Sequence, residues 1–292
     1  VSTALVVLTW NHLDDTLECL GSAVAMDPRP EHIVIADNGS SDGTPEAVAR
    51  AYPDAVIARS PTNLGIAGGY NLGMRAAADL GADHILVTNN DVAFDPGFYG
   101  ALLGAIQKHP ECGMFMPKIH HYYGDRSRLW CVGGYWRRFP PDVKMMALDA
   151  PDAPRYHRSG PLEFAPSCTL LIATKALAQV GGFDDGYFFY YDDWDFSARL
   201  RQAGHGIRYV HDAIVYHKVS VSTVKADRPA RWWETNGRSS VRFYRKHHNA
   251  AGLAIMTAWF AARETAKRKP ARVPPYLRGV LAAWRRQPME RP

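Results

Sequence analysis

The stretch His32-Ile33-Val34-Ile35-Ala36-Asp37-Asn38-Gly39-Ser40-Ser41-Asp42-Gly43-Thr44-Pro45-Glu46 holds a complete structural unit. Its aliphatic start reads as a buried strand, and its polar middle with two glycines reads as a loop, Asp42-Gly43 being turn chemistry. Its end carries helix-start signals: Thr44 as N-cap, Pro45 at the first helical position and Glu46 in the first turn. The unit recurs through the first 120 residues, with strands predicted over 4–9, 32–36, 55–59, 84–88 and 112–117. Helices are predicted over 14–25, 45–52, 67–80 and 96–108. Strands so nearly all apolar, alternating with helices, imply an α/β fold with a mostly parallel central sheet covered on both faces.

Ligands of such sheets bind beyond the carboxyl ends of the strands. The residues there are Thr9-Trp10-Asn11, Asp37-Asn38-Gly39, Asn63-Leu64-Gly65 and Asn89-Asn90-Asp91, polar each time. Asn, Asp and Gly also serve ordinary turns, but four such strand ends on one edge point to a ligand. Asp37 is placed to meet a base edge or a ribose hydroxyl. The run Asn63-Leu64-Gly65-Ile66-Ala67-Gly68-Gly69-Tyr70-Asn71-Leu72-Gly73 is a glycine-rich entry to a helix. Two readings stand: free backbone N–H groups for a phosphate, with Gly68 allowing close approach, or small residues that let the helix pack tightly. It is not the dinucleotide fingerprint, which follows the first strand with a different spacing.

The densest chemistry lies in Tyr190-Tyr191-Asp192-Asp193-Trp194-Asp195-Phe196-Ser197, three carboxylates within four positions at a helix start. Carboxylates so close repel one another, which suggests a use for their charge. Asp195 sits where a helix cap would, leaving Asp193 as the better candidate proton acceptor, with Asp192 beside it. Asp91 ends a buried strand and His217 ends another. Each has a local structural reading, an Asx-turn or a core histidine, but together they suit a Mg²⁺ or Mn²⁺ ion that a diphosphate also ligates.

The 292 residues are 47% hydrophobic, enough for one large core with an appendage. Four cysteines, at 19, 112, 131 and 168, show no CxxC spacing and read as free buried thiols. The longest apolar run near the end, 250–262, stops at Arg263, short of the roughly 18 residues of a membrane span. Residues 1–9 read as a strand rather than a signal peptide, so a cytoplasmic location is expected. Residues 225–292 carry 16 Lys and Arg against 4 Asp and Glu, or +12, whereas 1–224 carry 18 against 25, or −7. A basic tail with Leu253, Ile255, Met256, Trp259 and Phe260 interleaved suits an amphipathic helix on an anionic membrane, or one packed on the body with a solvated outer face. Residues 118–161, rich in Pro, Gly and aromatics, read as an excursion from the sheet, with Trp130, Tyr135 and Trp136 candidates to stack on sugar rings. A strand over 162–174, a helix over 174–180, a helix from the acid cluster to 203, a strand over 207–217 and a helix from 232 to 248 complete the reading, with 267–275 as a linker.

Taken together these motifs resemble glycosyltransferase family 2, inverting enzymes with the GT-A fold. Val34-Ile35-Ala36-Asp37-Asn38-Gly39-Ser40-Ser41-Asp42-Gly43-Thr44 is similar to the family's V-D-N-x-S-x-D-G-T segment, and the run from Asn63 to its N-x-G-x-x-x-x-x-N loop. Thr88-Asn89-Asn90-Asp91 sits where a DxD-type motif falls, Asn89 replacing the first acid. Gly181-Gly182-Phe183-Asp184 with Asp192-Asp193-Trp194-Asp195 resembles G-G-F-D … E-D-x-D, Asp192 standing where Glu is common, and Val215-Tyr216-His217 resembles the late metal-binding segment. The likeness is strongest to rhamnosyltransferase-like members that build cell-wall and surface polysaccharide. It implies a GT-A catalytic domain over 1–224, with a nucleotide-binding half to 117 and an acceptor-binding half after it, and a basic helical extension over 225–292. It implies donor contacts at Thr9, Asn11, Asp37, Asn63, Gly68, Asn89 and Asn90, Mg²⁺ or Mn²⁺ at Asp91 and His217, and catalysis by Asp193 with Asp192. The expected partners are a nucleotide-diphosphate sugar, with dTDP-rhamnose first, and a glycan or lipid-linked acceptor, at the inner face of the plasma membrane. The sequence is compatible with a homodimer. A nucleotide-sugar pyrophosphorylase is one rival, but it would place a Gly-rich basic loop where Thr9-Trp10-Asn11-His12 stands. A non-catalytic membrane- or nucleic-acid-binding protein is another, and it leaves the acid cluster without a purpose.

Overall fold

The computed structural model describes residues 1–219 and 228–285; the expected boundary between 224 and 225 lies outside them. Strands β1 (Thr3–Thr9), β2 (His32–Asp37), β3 (Val56–Arg59) and β4 (His84–Asn89) lie parallel in the order β3-β2-β1-β4. Helices α1 (Leu13–Val24), α2 (Thr44–Ala51) and α3 (Gly65–Asp79) return the chain between them. The register pairs Thr9 with Asp37 and Leu8 with Asn89, so these strands all end on one edge. Every residue of β1 is buried, the mark of a central strand covered on both sides. α3 lies close because a Cβ at Gly69 would strike Leu8 and one at Gly73 would strike Val6 and Ala36.

The chain continues through β5 (Val92–Phe94), α4 (Phe98–Lys108) and β6 (Cys112–His121), the last running four residues past its predicted end. The excursion is built of short strands: β7 (Arg128–Cys131), β8 (Gly134–Arg137), β9 (Asp142–Met145) and β10 (Ala150–Pro151). The single strand predicted over 162–174 is two, β11 (Gly160–Leu162) and β12 (Thr169–Ala173). β12 is antiparallel between β4 and β6, which makes the eleven-stranded sheet mixed on this side. α5 (Thr174–Val180), α6 (Asp192–Gln202) and β13 (Gly206–His217) follow, β13 running parallel to β6 and pairing its last residues with β5.

Three helices form the C-terminal layer: α7 (Ala230–His247), α8 (Ala250–Ala266) and α9 (Val273–Trp284). α7 packs on the body through Val241, Phe243 and Tyr244, which share a second core with Tyr187 and Tyr191. α7 and α9 touch backbone to backbone, since a Cβ at Gly237 would strike Tyr276 O and one at Gly279 would strike Glu234 O. Residues 267–275 are a tight corner rather than a linker: Arg272 Nη1 pairs with buried Glu264 Oε2 at 3.0 Å, and its guanidinium sits over Trp233. Thr44 is not the N-cap of α2. Gly43, with φ +82°, occupies that place, and Asp42 Oδ1 accepts from Thr44 N at 3.1 Å and Thr44 Oγ1 at 2.6 Å. The cap is supplied from one residue earlier because Gly43 turns left-handed at no steric cost.

Candidate active site

A cleft of about 650 Å³ opens at the carboxyl edge of the parallel strands. Its floor carries Asn38, Asn63, Gly65, Asn89, Asn90 and Asp91, which gathers three of the four predicted strand ends. Trp10 and His12 contribute from the first of these ends. The exit from β1 is bent by two left-handed residues, Asn11 (φ +60°) and His12 (φ +64°). Left-handed residues other than glycine carry strain and tend to cluster at functional sites.

Several predicted donor contacts stand behind this wall rather than on it. Thr9 is fully buried; its hydroxyl donates to Asn11 O at 3.2 Å and lies 3.0 Å from Thr16 Oγ1. Asn11 donates its N–H to Ser40 Oγ at 2.8 Å and accepts from Ser41 N at 2.9 Å, tying the first loop to the second. Asp37 has no exposure; it accepts from Ser40 N at 3.0 Å and pairs with Arg59 Nε at 3.0 Å. Gly68 does not line the cleft; a Cβ there would strike the side chain of Leu64, one turn earlier. Asn90 faces both ways, lining the cleft while its Nδ2 donates to Thr16 Oγ1 at 2.9 Å and to Thr9 Oγ1 and Asn11 O at 3.2 Å.

Sequence reasoning missed Asn38 as a site residue. Its Nδ2 donates to Gly65 O at 3.0 Å and Asn63 Oδ1 at 3.1 Å, and its Oδ1 accepts from Leu64 N at 2.8 Å. It clamps the second strand end to the glycine loop, and its position directly after a central strand was the signal.

Asp91 and His217 meet. His217 Nε2 lies 3.3 Å from Asp91 Oδ1, because β13 pairs its last residue with β5, just beyond Asp91. The His217 ring is buried and stands edge-on to Trp130 at 4.8 Å. Burial works against its charge, but the Cys168 sulfur and the Asp91 carboxylate outweigh it and push its pKa up to about 10. Two ligand atoms at right angles, each roughly 2.1 Å from an octahedral ion, lie about 3 Å apart, so this pair fits a shared Mg²⁺ or Mn²⁺. Among the described residues no group of three or more His, Cys, Asp or Glu gathers as a metal site. The remaining positions would therefore fall to a ligand's oxygens and to water.

The acid cluster divides by environment. Asp195 has no exposure and is held by Arg199 Nε at 2.6 Å, Lys246 Nζ at 2.7 Å and His247 Nε2 at 2.8 Å. Burial raises its pKa, but these bonds overcome it and bring it down to about 2. Asp195 ties α6 to α7 and is no helix cap. Asp192 is also buried, with Ser167 Oγ donating to its Oδ2 at 3.3 Å, and burial pushes its pKa up to about 6. Asp193, partly exposed, is raised well above the usual carboxylate range by its enclosed surroundings and by Asp192. The helix enters on two left-handed residues, Tyr190 (φ +67°) and Tyr191 (φ +66°), a second strained entry.

Asp192 and Asp193 do not line the cleft itself. One hydrogen-bonded chain joins them to it. Tyr70 OH donates to Asn89 Oδ1 and Ser167 O, each at 2.7 Å, and Ser167 Oγ bonds Asp192. On the other side, burial raises the Cys131 thiol, with Cys168 and Asp193 adding to the rise, next to the Trp130 that meets His217.

The opposite wall of the cleft comes from Phe188, Phe189 and the start of α7, with Arg228, Arg231, Trp232 and Thr235. The Arg228 guanidinium sits over Tyr190 and Trp232, at 5.4 and 5.7 Å. These cations were read from sequence only as part of a basic tail, since nothing local shows that α7 folds back over the strand ends.

The family model for "Glycosyl transferase family 2" matches residues 4–161. N-acetylglucosaminyl-diphospho-decaprenol L-rhamnosyltransferase of Mycobacterium tuberculosis is 32% identical over 284 aligned residues, covering 82% of this chain and 88% of its own. Among solved structures, GalNAc-T7 with UDP, GalNAc and Mn²⁺ superposes with a TM-score of 0.61 at 12% identity, over 92% of this chain and 58% of that one. A mannosyltransferase of Pyrobaculum calidifontis with GDP-Man and Mn²⁺ superposes at 0.54 and 16% identity, over 98% and 76%. These likenesses are of fold.

Proposed function

The chain belongs to glycosyl transferase family 2, and from that premise we propose that it is an inverting rhamnosyltransferase acting on a lipid-linked saccharide. Family membership sets aside the pyrophosphorylase and the non-catalytic readings. The sugar and the acceptor are suggested by the name of the mycobacterial relative that spans most of both chains. The observation that carries the catalytic reading is the meeting of Asp91 and His217 at the edge where the parallel strands end.

The donor's nucleotide lies against Trp10, Asn38, Asn63 and Gly65, with its diphosphate toward Asp91 and toward Arg228 and Arg231. Asp91 and His217 would hold a Mg²⁺ or Mn²⁺ ion, which would supply Lewis-acid stabilisation for the departing diphosphate. The two arginines add fixed positive charge on the same leaving group. Asp193 takes the proton of the acceptor hydroxyl as that oxygen attacks the anomeric carbon opposite the diphosphate, and the configuration inverts. Burial and the neighbouring Asp192 hold its carboxyl above the usual carboxylate range, the direction that strengthens a general base. Asp192, bonded to Ser167, positions Asp193 and tunes it through repulsion.

The test is a panel of dTDP-, UDP- and GDP-sugars with a GlcNAc-diphospho-polyprenol analogue, with Mn²⁺, Mg²⁺ or chelator, scored for nucleotide diphosphate release. Release from dTDP-rhamnose alone, lost on chelation, is the expected result. Turnover of a different donor sinks the rhamnosyl assignment, and turnover undiminished by chelation sinks the metal.

A further inference from the structure

α8 is apolar on two opposite faces. Leu253, Met256 and Phe260 are buried, Phe260 stacking on Tyr276 with ring centroids 3.9 Å apart. The outer face carries Ala251, Ala254, Ile255, Ala258, Trp259 and Ala262, all exposed. Their spacing puts them in one stripe about 17 Å long, and no charged residue interrupts the helix before Arg263. A helix on the surface of a soluble domain normally turns charged and polar residues outward. Here the stripe ends instead in three exposed cations, Lys267, Arg268 and Lys269.

We propose that this outer face of α8 is a docking surface for an anionic lipid bilayer. The Ala–Ile–Trp stripe enters the headgroup boundary, and Lys267, Arg268 and Lys269 meet lipid phosphates. Charge decides against a second copy of this chain, which would present the same cations. Size does too: a stable dimer interface takes roughly 20 residues a side, and the stripe offers six side chains, four of them alanine. The buried face of α8 is linked to the helix that walls the cleft. Trp232 lines the cleft, its neighbour Trp233 meets Phe260 at 5.8 Å, and Trp259 stands beside Phe260 on the outer face. A lipid-linked acceptor would keep its chain in the bilayer while its sugar reaches the cleft. That consequence rests on the acceptor proposed above, whereas the docking surface itself does not.

Flotation of the full chain with vesicles of phosphatidylcholine, with or without phosphatidylglycerol, tests the surface. Wild type should float with the anionic vesicles and weakly with neutral ones. I255Q/W259Q should lose at least about tenfold in partitioning, and K267Q/R268Q/K269Q should lose both affinity and salt dependence. Both variants should keep wild-type release of nucleotide diphosphate with a short-chain acceptor in detergent, which also shows that they fold. Equal flotation of I255Q/W259Q and wild type overturns the proposal, as does a wild type that stays with neither vesicle. A dimer that I255Q/W259Q converts to monomer, without vesicle binding, assigns the stripe to a second copy and overturns it equally. Flotation as expected with no donor turned over leaves the surface standing and removes the acceptor reading.

Discussion

Within one turn of α6 the same side chain meets two opposite fates. Asp195 faces α7, where Arg199, Lys246 and His247 surround it and bring its pKa down to about 2. Asp192 and Asp193 lie by Ser167 at the end of the Tyr70 chain, where burial raises both and Asp192 raises Asp193 further. One carboxylate is spent on holding the C-terminal layer in place, and the pair is left able to exchange a proton. Sequence proximity therefore says little about role; the element packed against each carboxylate sets it.

Asp193→Asn should cut kcat about a thousandfold while leaving donor affinity within a few-fold, because the shape stays and the base goes. Isothermal titration of donor beside initial rates separates the two, and equal transfer by the variant removes Asp193 from the mechanism. Asp195→Asn should do the reverse. It breaks a buried ion cluster and should cost about 3 kcal/mol in urea unfolding, with little change in kcat of the folded protein.

The two sides also oppose each other in pH. Asp195, depressed to about 2 from an ordinary value of 3.8, contributes stability that is present above 3.8 and disappears as pH falls toward 2. Asp192, raised to about 6, binds a proton more tightly folded than unfolded, so its contribution is present below 3.8 and is lost as pH rises through 6. Asp192→Asn should consequently be more stable than wild type at pH 7 and indistinguishable near pH 3. It should also move the acid limb of kcat/KM to lower pH, since Asp193 loses its repelling neighbour. A limb that stays put uncouples the pair. The smallest effect falls on Tyr70→Phe, which removes the hydroxyl joining Asn89 to Ser167 and should cost about 1 kcal/mol with a modest loss of kcat.

Much of the architecture is readable in the chain. Continuous aliphatic runs such as 4–9 and 84–88 leave no side chain for solvent, so they had to be central parallel strands, and their polar ends had to lie together. The glycine run was ambiguous because a glycine that admits a phosphate and one that admits a neighbouring element look alike; Gly65 lines the cleft, whereas Gly69 and Gly73 let α3 pack on β1. Thr9, Asn11 and Asp37 lie at the expected edge and bond to neighbouring loops behind the cleft lining, and which of several polar groups bond each other depends on how those loops interlock. α8 was read with one apolar face, and it has two.

Periodicity and the chemistry at strand ends, which depend on residues within a few positions of one another, were enough to establish the α/β class, the edge where the cleft opens and the residue types gathered there. The meeting of Asp91 with His217, the splitting of three neighbouring aspartates into a tie and a pair with raised pKa values, and the folding of α7 over the cleft are long-range events. They arise because β13 comes to pair with β5 and α7 comes to pack on α6, and the electrostatics of each charge is set by those distant partners.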